Sequence, residues 1–198
     1  MLDPSESSND LRPGIVICAY DADEAAWDPV EDLSGQPWHP AGARTIPVAA
    51  DAREALAERL SRHLTDAACR GLLLVGRTRL GEDFRIQTRA ENREPGGRKR
   101  IDDSAPGLAR ATAPAADMVR ALNEAGLAAS ASSEAEEDAG DYLLFRVLSA
   151  LPEGVDAPAV GLIRAPAELD DAAVTAGVKA AAGAIALHLS PLPRRRTI

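Results

Sequence analysis

The fold class follows from a short apolar run, Gly71-Leu72-Leu73-Leu74-Val75-Gly76, with a glycine at each end. A run of this length and composition is typical of a β-strand that is buried on both faces. Residues 15–20 and 159–163 have the same character. Strands of this kind belong to parallel sheets whose two faces are covered by helices.

Helices are predicted between these strands. Leu56, Leu60 and Leu64 recur at four-residue spacing after Asp51, which can cap a helix. Further helices are expected over 114–126, ending at Gly126, and over 138–151 and 170–189. Weaker strands are expected over 43–49, 83–88 and 127–132, and a loop over 89–110. The alternation predicts an α/β fold, a three-layer sandwich with a largely parallel central sheet and helices on both faces.

The length of 198 residues suits one domain. We expect a flexible N-terminal arm over 1–13, a single α/β domain over 14–190 and a basic C-terminal tail over 191–198. Residues 21–42 are rich in proline and lack periodicity, which predicts a long surface loop.

The charge balance limits the partners. The chain has 22 Lys and Arg against 31 Asp and Glu, a net charge of −9. Such a chain repels nucleic acid and anionic membrane surfaces, so neither is expected as a partner, and a small polar ligand is easier to accommodate. No apolar stretch approaches the roughly 20 residues of a membrane helix. The two cysteines, Cys18 and Cys69, are too few for a disulfide framework, which favours a reducing, cytoplasmic location.

The sequence contains no phosphate-binding or dinucleotide-binding glycine pattern. His39, His63 and His188 are scattered and lack metal-ligand spacing, so neither a metal site nor a cofactor is expected. The acidic run over 134–138 is interpreted as the solvent-exposed start of a helix.

Several segments together resemble a known family. Ala139-Gly140-Asp141-Tyr142-Leu143 is similar to the segment that presents the nucleophile in the pyroglutamyl-peptidase I (pyrrolidone-carboxylate peptidase) family of cysteine peptidases. Leu74-Val75-Gly76-Arg77 and Gly161-Leu162-Ile163-Arg164-Ala165-Pro166 resemble two other segments of that family, in the same order along the chain. The resemblance spans about residues 15–189.

The resemblance implies a Cys-His-carboxylate triad that removes an amino-terminal pyroglutamate. In this chain Leu144 stands at the cysteine position and Arg164 at the histidine position. Asp83, or its neighbour Glu82, stands near the position of the carboxylate. Leucine cannot be a nucleophile and a permanently protonated arginine cannot be a general base. The resemblance therefore implies a divergent member that lacks the catalytic cysteine and histidine.

The substrate pocket implied by the resemblance is also altered. Its positions correspond to Tyr20, Asp23 and Phe145. Two alternatives remain for Arg164: it pairs with Asp83 or Glu82, or it reaches solvent while Leu144 packs in the core with Leu148 and Leu151.

Three functions remain open at this point. The first is a pseudoenzyme that keeps the peptidase fold and serves as a binding or assembly partner. The second is an active peptidase or amidohydrolase with a relocated nucleophile, either Cys18 or the pair Ser132-Ser133. The third is a binder of a small peptide or polar ligand around Tyr20, Asp83 and Arg164. The resemblance also implies a homo-oligomer.

Overall fold

A computed structural model describes residues 12–21, 38–151 and 157–189. Most of the arm expected over 1–13, most of the loop over 21–42 and the tail over 191–198 lie outside these residues. The elements in chain order are β1 (Gly14–Ala19), β2 (Arg44–Pro47), α1 (Arg53–Leu64), β3 (Cys69–Thr78), β4 (Phe84–Gln87), β5 (Arg89–Glu91), β6 (Leu108–Arg110), α2 (Ala115–Glu124), β7 (Ala129–Ser132), α3 (Ala139–Ser149), β8 (Ala159–Pro166) and α4 (Asp171–Leu189).

The central sheet of the described chain has the strand order β2-β1-β3-β8-β4-β7. All neighbouring strands are parallel except β4 and β8, which run antiparallel. The last strand in sequence, β8, therefore lies in the middle of the sheet. This arrangement confirms the largely parallel sheet expected from the sequence.

Helices cover both faces of the sheet, and β3 shows how. Leu72 and Leu74 belong to one buried cluster with residues of α1 and α3. Leu73 and Val75 belong to a second buried cluster with residues of α2 and α4. Alternate residues of a strand point to opposite faces, so a continuous apolar run is what a strand between two helical layers requires. The three-layer sandwich is confirmed.

The loop expected over 89–110 contains a small antiparallel pair, β5 and β6. Its two ends are held by Asn92, whose amide donates to the carbonyls of Asp102 at 2.6 Å and Pro106 at 3.0 Å. The same side chain accepts hydrogen bonds from the backbone of Ile101 and Asp102. Strands of three residues are too short to produce an alternating pattern, which is why the sequence did not indicate them.

Two further details differ from the expectations. Asp51 does not cap α1: the N-cap position is Ala52, and the Asp51 carboxylate accepts from the Ala52 N–H at 2.7 Å and from Nη2 of Arg59. The strand expected over 83–88 to be more exposed is largely buried as β4, because Phe84 and Ile86 pack in the cluster with residues of α2 and α4. Gly126 adopts a φ of 79° after α2, as expected of a helix-ending glycine.

The helix α4 is, by length and composition, apolar enough to cross a membrane, contrary to the expectation that no segment approaches that length. Its apolar character has an explanation within the fold. Val174, Val178 and Ile185 on this helix are fully buried in the cluster that it shares with the sheet. A buried core helix with so many alanines has the same length and apolar composition as a membrane span.

Candidate functional site

Arg164, in the second half of β8, is the only fully buried cation among the described residues, with 1% of its surface exposed. Its Nη1 donates to Oδ2 of Asp138 at 2.5 Å, and its Nη2 donates to Oδ1 at 2.8 Å. This two-pronged contact is the geometry in which arginine binds a carboxylate most strongly. Asp138 also caps α3, since its Oδ1 accepts from the Asp141 N–H at 3.0 Å.

The remaining donors of Arg164 are bound by neighbours from two other strands. Its Nε donates to Oε1 of Gln87 on β4 at 3.0 Å, and its Nη1 donates to the hydroxyl of Tyr20 after β1 at 3.1 Å. Gln87 in turn donates from Nε2 to Oδ1 of Asp141 at 2.5 Å. The result is one polar cluster that joins β1, β4, β8 and the start of α3.

The protonation of the cluster follows from burial and from these contacts. Burial disfavours the charged form of Asp138, but the hydrogen bond and charge of Arg164 hold its pKa below the usual range. Burial likewise opposes the charge of Arg164, and Asp138 outweighs it, so its pKa is raised. Burial raises the pKa of Asp141 to about 6, despite hydrogen bonds from the backbone of Glu91 and from Gln87. Burial also raises the pKa of Tyr20.

Only part of the acidic run over 134–138 is the solvent-exposed helix start that the sequence suggested: Glu134 and Glu137 are exposed and Asp138 is the N-cap of α3, but Glu136 is largely buried. Each of its four acids is paired with arginine: Glu134 with Arg85 (3.1 Å), Glu136 with Arg85 and Arg164 (3.5 Å each), Glu137 with Arg93 (2.6 Å) and Asp138 with Arg164. The sequence did not show these pairs because every arginine is distant in the chain from its partner.

Tyr20 fits between two glycines. A Cβ on Gly76 of β3, or on Gly140 at the start of α3, would overlap the Tyr20 phenol ring. Only glycine at both positions leaves room for the ring and lets its hydroxyl reach Arg164. The aromatic position implied by the resemblance is therefore filled by a side chain that belongs to the ion-pair cluster.

The implied triad positions differ in burial, and no hydrogen bond or ion pair joins them in the described part of the chain. Leu144 and Phe145, both on α3, are fully buried in the cluster that α3 forms with α1 and the sheet. Glu82 and Asp83 are exposed. In the antiparallel register Arg85 faces Arg164, so Asp83 lies two residues beyond that level. Asp23 lies outside the described residues.

Arg164 forms an ion pair, but with different partners from those expected. Its carboxylate partners are Asp138 and Glu136 rather than Asp83 or Glu82. The alternative that Arg164 reaches solvent is also wrong, because its side chain is buried. The N-cap residue of α3 reaches Arg164 directly, a contact that only the folded arrangement of α3 and β8 shows.

Cys18 and Ser132, two of the candidate nucleophiles, have different surroundings. Cys18 is fully buried, and burial raises the pKa of its thiol to about 12. The Oγ of Ser132 accepts from Nη2 of Arg85 at 2.7 Å and from the Glu134 N–H at 3.1 Å. His39 contacts Thr45 of β2, at the opposite edge of the sheet from β7. The other two histidines lie in α1 and near the end of α4.

A cavity of about 530 Å³ lies beside the cluster. It is lined by the end of β3 with the turn that follows, including Thr78 and Glu82, and by the end of β8 with the turn that follows, including Pro166 and Glu168. Within the described residues no group of three or more His, Cys, Asp or Glu side chains is arranged to hold a metal ion.

Three solved structures share this fold at low sequence identity. Pyrrolidone carboxyl peptidase from Thermus thermophilus aligns with a TM-score of 0.70 at 17% identity, covering 86% of this chain and 98% of that one. Pyroglutamyl peptidase I from Bacillus amyloliquefaciens aligns with a TM-score of 0.71 at 15% identity, covering 89% and 96%. The Thermococcus litoralis pyrrolidone carboxyl peptidase gives 0.68 at 13% identity, covering 90% and 94%. Neither a family model nor a curated protein sequence matches the chain. The structure therefore agrees with the resemblance seen in the sequence, and the chain has the fold of the pyroglutamyl peptidases.

Proposed function

We propose that this chain is a non-catalytic protein with the pyroglutamyl-peptidase fold, and that it acts by binding rather than by cysteine-peptidase chemistry. The observation that carries the proposal is the buried Arg164, held by both carboxylate oxygens of Asp138. By the resemblance, this arginine stands where the general base would be.

The contacts of Arg164 do not suit a general base. Its donors are bound to Asp138, Gln87 and Tyr20, all of them groups of the protein itself. A guanidinium stays protonated at any physiological pH, so it cannot accept a proton from a nucleophile. With Leu144 fully buried, this position lacks both a nucleophile and a base.

The alternative of a relocated nucleophile has less support. A thiol whose pKa is raised to about 12 is almost entirely protonated at neutral pH, and the thiolate is the reactive form. Ser132 has an arginine, not a histidine, on its hydroxyl. Neither candidate has the adjacent base that activates a nucleophile.

The test is turnover of a fluorogenic pyroglutamyl amide, with the Bacillus amyloliquefaciens peptidase as positive control. We expect no release of fluorophore above the rate without protein, whether or not a thiol reductant is present. Turnover that is abolished by iodoacetamide would contradict the proposal. In that event Cys18→Ser and Ser132→Ala variants would identify the residue responsible.

A cytoplasmic location and self-association remain predictions. The first rests on the cysteine content and the second on the resemblance. Sedimentation of the purified chain at several concentrations measures the second directly.

A further inference from the structure

Two arginine side chains lie next to each other in the sheet, close to the acidic run. Arg85 of β4 and Arg164 of β8 are direct partners in the antiparallel register, so their side chains leave the same face. Like charges opposite each other destabilise a sheet. Both side chains are also shielded from water, with 12% of Arg85 and 1% of Arg164 exposed. A carboxylate between them offsets this repulsion.

Glu136 supplies that carboxylate. Its Oε1 lies 3.5 Å from Nη1 of Arg85 and 3.5 Å from Nε of Arg164. The same oxygen accepts a hydrogen bond of 3.0 Å from the hydroxyl of Thr78. Two guanidinium groups and one hydroxyl thus converge on a single carboxylate oxygen.

The segment that carries Glu136 is held by its side chains more than by its backbone. It belongs neither to β7 nor to α3. The next residue, Glu137, has a φ of 53°, the only positive φ of a non-glycine residue in the described part of the chain. Residues persist in this region of backbone space only when their surroundings impose it. The ion pairs with Arg85, Arg93 and Arg164 supply that constraint.

The cavity meets the cluster at Thr78, which lines the cavity and also donates to Glu136. Arg85, Arg164 and Glu136 do not line it. A carboxylate in the cavity therefore reaches the two arginines only by displacing Glu136. Arg79 lines the cavity together with Glu82 and Glu168, and the chain has a net charge of −9, so a polyanionic peptide is disfavoured. A small carboxylate with little excess charge fits better.

We propose that Arg85, Arg164 and Thr78 form a carboxylate-binding site that Glu136 occupies in the free protein, and that a small carboxylate ligand takes its place. This inference names the ligand class of the proposed binding function and rests on it. Binding displaces the Glu136 side chain from the two arginines, so ligand and segment compete for the same charges.

The test removes the Glu136 carboxylate by mutation and supplies a carboxylate from solution. A Glu136→Ala variant loses a fragment equivalent to acetate, and we expect its Tm to fall by about 5 °C. Sodium acetate should recover at least half of that fall, compared with sodium chloride at the same ionic strength. Wild type and Glu82→Ala, which removes an exposed carboxylate at the cavity, should respond equally to the two salts.

A double variant, Arg85→Met with Glu136→Ala, should lose the acetate effect. An acetate effect of the same size in Glu82→Ala as in Glu136→Ala would overturn the proposal. So would the absence of any effect in Glu136→Ala.

A second variant keeps the proposal testable if Glu136→Ala does not fold. Glu136→Gln keeps the shape of the side chain without its charge, and propionate should bind it at least tenfold more tightly than wild type by calorimetry. Equal affinities would contradict the competition, and tighter binding of an acidic peptide than of propionate would contradict the small-ligand assignment. These readouts are independent of pyroglutamyl-amide turnover, so either proposal can fail alone.

Discussion

Replacing Arg164 by methionine tests whether the ion-pair cluster holds the fold together. Methionine has a similar length but carries no charge and makes no hydrogen bonds. The substitution leaves the carboxylates of Asp138 and Glu136 without their cation, and leaves Gln87 and the Tyr20 hydroxyl without a partner that they now share.

The expected cost follows from the burial of each partner. Removing one member of a buried pair costs about 3–5 kcal/mol, because the other charge stays desolvated. Here the Asp138 side chain is 35% exposed and can recover part of its hydration, whereas Glu136 is 10% exposed and cannot. We therefore expect a loss of about 3 kcal/mol in the free energy of unfolding, at the lower end of that range.

The assay is urea denaturation at neutral pH, comparing midpoints at an unchanged slope. The matched control is Arg120→Met on α2, where the arginine is 66% exposed and paired with Asp117 within its own helix. Exposed pairs of this kind contribute at most about 1 kcal/mol, so this variant should unfold close to wild type.

A double variant with Asp138→Asn isolates the pair itself. Asparagine keeps a good N-cap for α3 while it removes the charge. Its cost together with Arg164→Met should be smaller than the sum of the two single costs. The reasoning is refuted if Arg164→Met costs no more than Arg120→Met.

Three other predictions concern separate features of the molecule. Gly140→Ala should destabilise the fold because its Cβ overlaps an aromatic ring, whereas Gly183→Ala, with open space around it in α4, should stabilise it by about 0.5–1 kcal/mol in thermal unfolding. Because the pKa of Asp141 is raised to about 6, this carboxyl binds a proton more tightly in the folded state than in the unfolded state. Its contribution to the free energy of unfolding should therefore fall by about 2–3 kcal/mol as the pH rises from about 4 to about 6. The Asp141→Asn variant should lack this fall. Both cysteines are buried with raised pKa values, so neither should react with a thiol reagent in the native protein, and both should react in denaturant; rapid native labelling would contradict their burial.

The fold could be predicted from the sequence because its main strands are continuous apolar runs. Residues 71–76 and 159–163 lie between two helical layers, and such burial leaves a clear trace in composition. The β5 and β6 pair could not be predicted, since each strand has only three residues and the segment between them is held by hydrogen bonds of one asparagine side chain, Asn92.

The candidate site is predictable from the sequence only in part. The resemblance points to Arg164, and an ion pair is one of its two alternatives. Its partner could not be identified, because Asp138 and Arg164 meet only when α3 begins above β8 in the folded sheet. Gln87, which bridges Arg164 and Asp141, had no sequence signal beyond being a polar residue in a short strand.

Gly76 and Gly140 illustrate a similar limit. Both lie in segments that carry the resemblance. Their common purpose, room for the Tyr20 ring, depends on β3 and α3 approaching that ring from two sides. Only the three-dimensional structure places these three residues together.

The position of β8 has a consequence for how the chain folds. This strand is the last to be synthesised, yet it separates β3 from β4 in the finished sheet. Until it emerges, β1, β2 and β3 can pair with one another, as can β4 and β7, but the two halves cannot join. The contact between Tyr20 and Arg164 spans 144 positions of sequence. Contacts of such long range slow folding, so β8 insertion is the step at which a growing chain would commit to its native sheet.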